Sequence, residues 1–293
     1  GYIKRMANSE FRAQRRGGRG VQGMGVHDDD FVKNLVSCST HDTLLFFTNT
    51  GKVYRAKGYE IPEYGRTAKG IPVINLLGID SAEKIQAIIS VEGKAEAGKY
   101  LFFTTLKGTV KRTAVTAFSN IRSNGLIAIS LKEDDELVNV VTTNGNQKMI
   151  IGTHAGYSVT FDENTVRDMG RTASGVRGIR LRENDYVVGA AILDENKEVL
   201  VITENGYGKR TKASEYPVKG RGGKGIKTAN ITEKNGPLAG LTTVNGDEDI
   251  LLITNKGVII RFNVDSVSQT GRATLGVRLM RMEDGAKVVT MAV

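Results

Sequence analysis

The chain of 293 residues has no tryptophan, one cysteine, four prolines and three histidines. A single cysteine, Cys38 in Val36-Ser37-Cys38-Ser39, excludes an internal disulfide and agrees with a reducing, intracellular setting; it is expected to be a small buried side chain. His27, His41 and His154 share no spacing that suits zinc. No apolar run approaches the roughly 18 residues needed to span a bilayer, and no basic-then-apolar signal segment opens the chain. Few prolines beside 35 glycines suit many short strands joined by tight turns, and the expectation is mostly β structure.

What the sequence does have is positive charge. Lysine and arginine total 41 against 32 acidic residues, a net charge of +9 with a pI near 9.5. That balance favours a polyanionic partner, nucleic acid first and an anionic membrane second. The chain opens inside a structural element, Gly1-Tyr2-Ile3-Lys4-Arg5, and reads as part of a longer polypeptide.

One signature occurs six times: a glycine, a short β-prone run and usually a terminal basic residue. After Gly1 to Arg5 it appears at Gly51-Lys52-Val53-Tyr54-Arg55, Gly108-Thr109-Val110-Lys111-Arg112 and Gly156-Tyr157-Ser158-Val159-Thr160, then at Gly206-Tyr207-Gly208-Lys209-Arg210 and Gly257-Val258-Ile259-Ile260-Arg261. The period is about fifty residues, with repeats at about 1–50, 51–107, 108–155, 156–205, 206–256 and 257–293. An apolar strand and a polar turn precede five of these glycines, as in Leu44-Leu45-Phe46-Phe47-Thr48-Asn49-Thr50, which makes each copy a β-hairpin. A Gly and Arg/Lys loop, a strand, an acidic turn and a further apolar strand follow, so each repeat is expected to form one four-stranded sheet. Six such units are the arithmetic of an all-β, six-bladed, propeller-like ring as a single domain. The first repeat lacks a preceding strand, and one upstream of Gly1 is expected to complete the ring. Tyr2, Tyr54 and Tyr207 are expected to pack within blades.

The loops behind the hairpins carry the candidate chemistry. The first is Gln14-Arg15-Arg16-Gly17-Gly18-Arg19-Gly20, with three guanidinium groups on a backbone free to approach a partner. Weaker copies recur at Gly65 to Gly70, Asn120 to Gly125, Gly170 to Gly175, Gly220 to Gly225 and Gly271 to Gly276. Arginine forks match phosphate oxygens, and six loops in register point to phosphate contacts distributed along a rim. The expected DNA contacts are Lys4, Arg5, Arg15, Arg16 and Arg19 with Gln14, Gly17, Gly18 and Gly20. They continue at Arg55, Arg66, Lys69, Lys111, Arg112, Arg122, Lys209, Arg210, Arg221, Lys224 and Arg272. Repeat 4 is the only acidic one, at a net charge of −3, and carries Val159-Thr160 where repeats 1, 3 and 5 carry Lys-Arg, so its DNA contacts are expected to be the weakest. Asp28-Asp29-Asp30 and Asp247-Glu248-Asp249 read as solvated turns. Gly220 to Gly225 lacks the ending of a P-loop, and nothing points to an active site, cofactor or metal.

The seven residues from Gln14 to Gly20 resemble the box that marks the C-terminal domain of DNA gyrase A, part of a type II topoisomerase, and the six repeats resemble that domain's β-pinwheel over the whole chain. The resemblance implies a non-catalytic domain in the bacterial cytoplasm, itself monomeric, whose basic rim wraps duplex DNA with positive sense so that the holoenzyme introduces negative supercoils. It also implies that the catalytic tyrosine lies in the N-terminal part of the same polypeptide, and that ATP with Mg²⁺ is used elsewhere, by gyrase B. Topoisomerase IV relatives carry a degraded box; that domain, or a propeller serving as a protein-interaction platform, is the alternative.

Overall fold

The computed structural model describes residues 1–7, 9, 21–22, 34–91 and 98–293. The loop from Gln14 to Gly20, His27 and the acidic turn Asp28-Asp29-Asp30 lie outside the described residues.

Blade 3 shows how the repeat folds. Leu101, Phe102 and Phe103 in the strand Tyr100–Thr105 are all fully buried. An apolar run with no polar face needs cover on both sides, and it lies in the interior of a sheet sandwiched between neighbouring blades. Gly108 at φ +86° turns the chain into the second strand, Thr109–Ala114. The short 3₁₀ turn Val115–Phe118 then ends the hairpin and buries Val115 and Phe118. The inner strand Leu137–Thr143 pairs with Tyr100–Thr105, with a register shift between Leu137 and Asn139.

The fourth strand of this sheet comes from the next repeat. Val176–Arg177 pairs antiparallel with the second hairpin strand through Val176↔Val110 and Arg177↔Thr109. The same exchange places Leu126–Ile127 in blade 2, Ile226–Lys227 in blade 4 and Val277–Arg278 in blade 5. Val21–Gln22 of the first repeat pairs with Val258 and Ile259 of the sixth, which closes the ring. The described residues thus form five four-stranded sheets and, in blade 1, the two-stranded pair of Tyr2–Ile3 with Ile71–Pro72. The expectation that each repeat forms its own sheet is corrected here. Blades 2 to 6 have four strands, but the outer one is donated, because the Gly-containing loop carries the chain back to the edge of the preceding hairpin. A fifty-residue period reads the same whichever hairpin that strand joins.

Blades pack face to face through large side chains: Phe47 meets Phe103 edge-on at 5.6 Å and Phe102 meets Phe161 at 6.1 Å. Met6 and Leu35 pack on Ile253 and Ile259 where blade 1 meets blade 6. A cleft of about 690 Å³, lined by Tyr2, Met6, Leu35, Phe46, Leu251 and Ile259 among others, lies beside the two-stranded pair. Tyr54 and Tyr207 are buried, whereas Tyr2 is half-exposed with the Lys69 ammonium 4.0 Å from its ring centre. Cys38 is exposed, not buried, because it lies on the open edge beside that cleft.

Candidate nucleic-acid interface

Strand exchange puts the recurrent loops at the outer edge of the ring, where each climbs from its own hairpin onto the blade before. The last glycine of the loop makes the crossing possible. Gly175 has φ +98°, and a Cβ there would stand 2.3 Å from the carbonyl oxygen of Val110; Gly225, at φ +83°, would put one 2.5 Å from that of Ser158. The close backbone approach expected of these glycines is therefore made to the neighbouring blade.

The loop arginines link one loop to the next. Arg171 Nη1 donates to the carbonyl of Ile127 at 3.0 Å, Arg221 Nη1 to that of Arg177 at 2.6 Å, and Arg272 Nη1 to that of Lys227 at 2.6 Å. Each acceptor is the last residue of the exchanged strand that belongs to the preceding loop. In return the backbone N–H groups of Ser130, Arg180 and Asn230 donate to the carbonyls of Ala173, Gly223 and Thr274. The rim is thus a chain of interlocked loops, and one edge of each guanidinium is held by the protein itself. Arg55, Arg66, Arg122 and Lys224 are exposed, while Lys69, Arg171, Arg221 and Arg272 are half-buried.

The hairpin Lys-Arg pairs, expected to touch DNA, lie elsewhere. Lys111 and Lys209 are 0 % and 1 % exposed. Lys209 Nζ donates to the carbonyls of Gly271, Arg272 and Thr274 at 2.8, 2.5 and 2.9 Å. Lys111 Nζ donates to those of Gly170 at 3.0 Å and Arg171 at 2.7 Å, and to that of Ala128. Half-buried Lys4 makes the same set with Gly65, Arg66 and Ala68 at 2.7–2.8 Å. An ammonium has three N–H donors, and here all three are engaged, so these lysines are removed from the set of phosphate contacts. Burial, with the Arg171 guanidinium adding repulsion, pushes Lys111 down to about 7. Burial pushes Lys209 down to about 8, and Glu215 partly opposes it.

Their neighbours are engaged too. Buried Arg112 Nη1 lies 3.2 Å from Glu163 Oε1 and the same distance from the Gly145 carbonyl, with its guanidinium 4.5 Å from the centre of the Tyr100 ring. Arg210 pairs with Glu198 at 2.9 Å and donates to the Val267 carbonyl. Arg5 donates to the Ile61 carbonyl and reaches Glu63 at 3.5 Å. All three take part in a parallel bridge to the chain entering the next loop, at Glu63, Asp168 and Gln269. A cation next to a glycine-rich motif reads alike whether it serves the fold or a ligand; burial separates the two uses. Conversely, exposed Arg177, Lys227 and Arg278 end the exchanged strands beside the loop arginines and were not among the expected contacts. Their signal is a cation two residues past the last glycine of the loop, in Gly175-Val176-Arg177, Gly225-Ile226-Lys227 and Gly276-Val277-Arg278.

A ring of strand-exchanged blades, five of four strands and one of two among the described residues, girdled by cation-bearing loops, defines a β-pinwheel, a propeller-like class. The family described as DNA gyrase C-terminal domain, beta-propeller, matches the chain six times, at residues 1–39, 42–92, 99–144, 147–194, 197–245 and 248–293, and the chain belongs to that family. It is 70% identical to the DNA gyrase A protein of Streptococcus pyogenes serotype M3 over 290 residues, and 62% identical to that of Halalkalibacterium halodurans over 292. These alignments cover 99% and 100% of the chain and 35% of each relative, so the chain spans about a third of their length. A solved DNA gyrase A C-terminal domain superposes with a TM-score of 0.90 at 27% identity, covering 99% of this chain and 95% of that one. The C-terminal domain of a DNA topoisomerase IV superposes at 0.77, also at 27% identity, covering 100% and 90%.

Proposed function

We propose that this chain is the non-catalytic part of a gyrase A protein that wraps duplex DNA around its rim without reading sequence. The supporting observation is the interlocked loop chain: Arg171, Arg221 and Arg272 are each pinned by a carbonyl on one edge of the guanidinium. A pinned fork loses little further freedom on meeting a phosphate, so contact costs less entropy than it would for a free side chain.

Bending DNA half a turn around a disc of roughly 25 Å radius costs on the order of 10–15 kcal/mol. No single loop offsets that, whereas cations spaced around a closed ring do so through phosphate neutralisation and counterion release. The track runs through Arg66, Lys69, Arg122, Arg171, Arg177, Arg221, Lys224, Lys227, Arg272 and Arg278, and the sequence adds Arg15, Arg16 and Arg19 to it. In the bacterial cytoplasm the domain acts with the N-terminal part of its own polypeptide and with gyrase B, and positive wrap lets the holoenzyme introduce negative supercoils.

The test binds the protein to relaxed plasmid, seals the DNA with an independent relaxing enzyme and reads the sign of the trapped writhe. Positive writhe is expected, with affinity that falls steeply as salt rises. Binding without writhe would favour the behaviour of a topoisomerase IV domain. Absence of salt-dependent DNA binding would make the ring a protein-interaction platform.

A further inference from the structure

The fourth residue of the hairpin signature alternates around the ring. It is Lys4, Lys111 and Lys209 in repeats 1, 3 and 5, and Tyr54, Val159 and Ile260 in repeats 2, 4 and 6. Each lysine reaches forward into the loop of the next repeat, 65–70, 170–175 or 271–276. In repeats 2 and 4 the same position offers an apolar floor. A Cβ on Gly125 would lie 2.8 Å from the Tyr54 ring, and one on Gly225 would lie 3.3 Å from a methyl of Val159.

We propose that Lys4, Lys111 and Lys209 are positioning residues that clamp the DNA-facing loop of the following blade, so that the latched loops 65–70, 170–175 and 271–276 alternate with the unlatched loops 120–125 and 220–225. The geometry carries the assignment. Three carbonyls converge on one ammonium, and two of the three in each set are those of the loop's first glycine and of its arginine. Turning these carbonyls inward fixes the peptide planes from which Arg66, Arg171 and Arg272 leave the backbone. Three acceptors need three N–H donors, which an ammonium supplies and a neutral amine does not. Charge-assisted bonds, out of reach of water at Lys111 and Lys209, hold such a turn more firmly than apolar contact against a glycine, which supplies no side chain to grip. The latched loops therefore keep their form before DNA arrives, and the unlatched ones complete theirs on it.

The inference rests on the DNA-wrapping reading for its consequence but not for its test. In the full-length protein, Lys111→Met keeps an unbranched apolar stem and deletes the donors. Without DNA, hydrogen exchange is expected to accelerate at least tenfold at the amides of 170–175. Rates should stay at wild-type values in 220–225 and in the ladder between Tyr100–Thr105 and Thr109–Ala114. Saturating duplex DNA restores protection to 170–175, and apparent affinity falls by the factor by which the competent loop is depopulated. Lys209→Met, read at 271–276, is the parallel experiment and decides the question if Lys111→Met does not fold. Wild-type exchange in the variant's own loop overturns the proposal. If the slope of log affinity against log salt also drops by about one, the lysine is a phosphate contact after all. Accelerated exchange in a protein that traps no writhe would leave the clamp standing and remove the wrapping reading.

Discussion

Lys111 and Val159 occupy the same place in consecutive hairpins, three residues past the turn glycine, and meet the next loop in opposite ways. At the junction from blade 3 to blade 4, a buried ammonium gathers the carbonyls of Gly170 and Arg171, and buried Arg112 pairs with fully buried Glu163 beside it. At the junction from blade 4 to blade 5 no cation stands in the equivalent position. There the Lys219 N–H donates to the Thr160 carbonyl, and Gly225 settles against Ser158 and Val159. Both junctions deliver an arginine to the rim with one Nη1 bond to the preceding exchanged strand. Positive charge in this protein thus takes two positions, buried beneath loops as at Lys111 and outward on the rim as at Arg177 and Lys224, and position relative to the sheet decides which.

The comparison breaks most visibly at Glu163. It accepts hydrogen bonds from Arg112, Thr143 and the N–H of Gln147. Glu163→Ala would leave a buried guanidinium unpaired and is expected to cost about 3–5 kcal/mol in urea unfolding. Glu215, exposed in the turn after the blade 5 hairpin, should cost less than about 1 kcal/mol when replaced by alanine. Similar losses at the two sites would mean that the buried pair adds nothing at its junction.

Next comes charge reversal on the rim. Arg221→Glu with Lys224→Glu acts in a repeat of net charge +4, whereas Arg171→Glu acts in the acidic repeat 4. The first change is expected to abolish trapped writhe and lower the salt slope by about two or more, the second to lower it by about one. Equal losses would show that local charge does not grade the contacts.

The smallest effect is that of pH. Native Lys111 and Lys209 release their protons at about 7 and about 8, while unfolded lysine holds its proton to roughly 10.4. Between these values the unfolded chain binds more protons, so global stability rises with pH across that window. The clamp is lost as pH rises through about 7 at Lys111 and about 8 at Lys209, because the neutral amine has one donor fewer. Burial sets both midpoints, with Arg171 beside Lys111, and Glu215 with Arg272 beside Lys209, as the charged groups that adjust them. Amide chemical shifts in 170–175 and 271–276 should move between pH 7 and 9, with those in 220–225 constant. Equal movement in all three loops would erase the distinction between junctions.

Much of this was legible in the sequence. Runs such as Leu44 to Phe47 and Leu251 to Ile253 mark the hairpins, the fifty-residue spacing gives the blade count, and the loops at Gly65, Gly170, Gly220 and Gly271 fall on the rim. Strand exchange was not legible, since Val176–Arg177 would look the same on either hairpin. Nor was the burial of Lys111 and Lys209: their cradles draw carbonyls from residues about sixty positions away, Gly170 and Gly271 among them. The alternation of Lys with Tyr, Val and Ile was visible, but it acquires meaning only once exchange shows which loop each side chain faces.

That alternation imposes a parity on the ring. A hairpin with lysine must be followed by a loop shaped for it, and a hairpin without lysine by a loop that packs on apolar side chains. At the seam Val21–Gln22 joins the hairpin that carries Ile260, so the order of side chains at this position runs unbroken through the ring. Removing or adding one repeat would set two like partners against each other, with either an ammonium lacking its carbonyls or carbonyls lacking their ammonium. Removing or adding two would not. The unit by which such a ring grows or shrinks without internal conflict is therefore a pair of blades, about a hundred residues of chain, although the repeat written in the sequence is half that long.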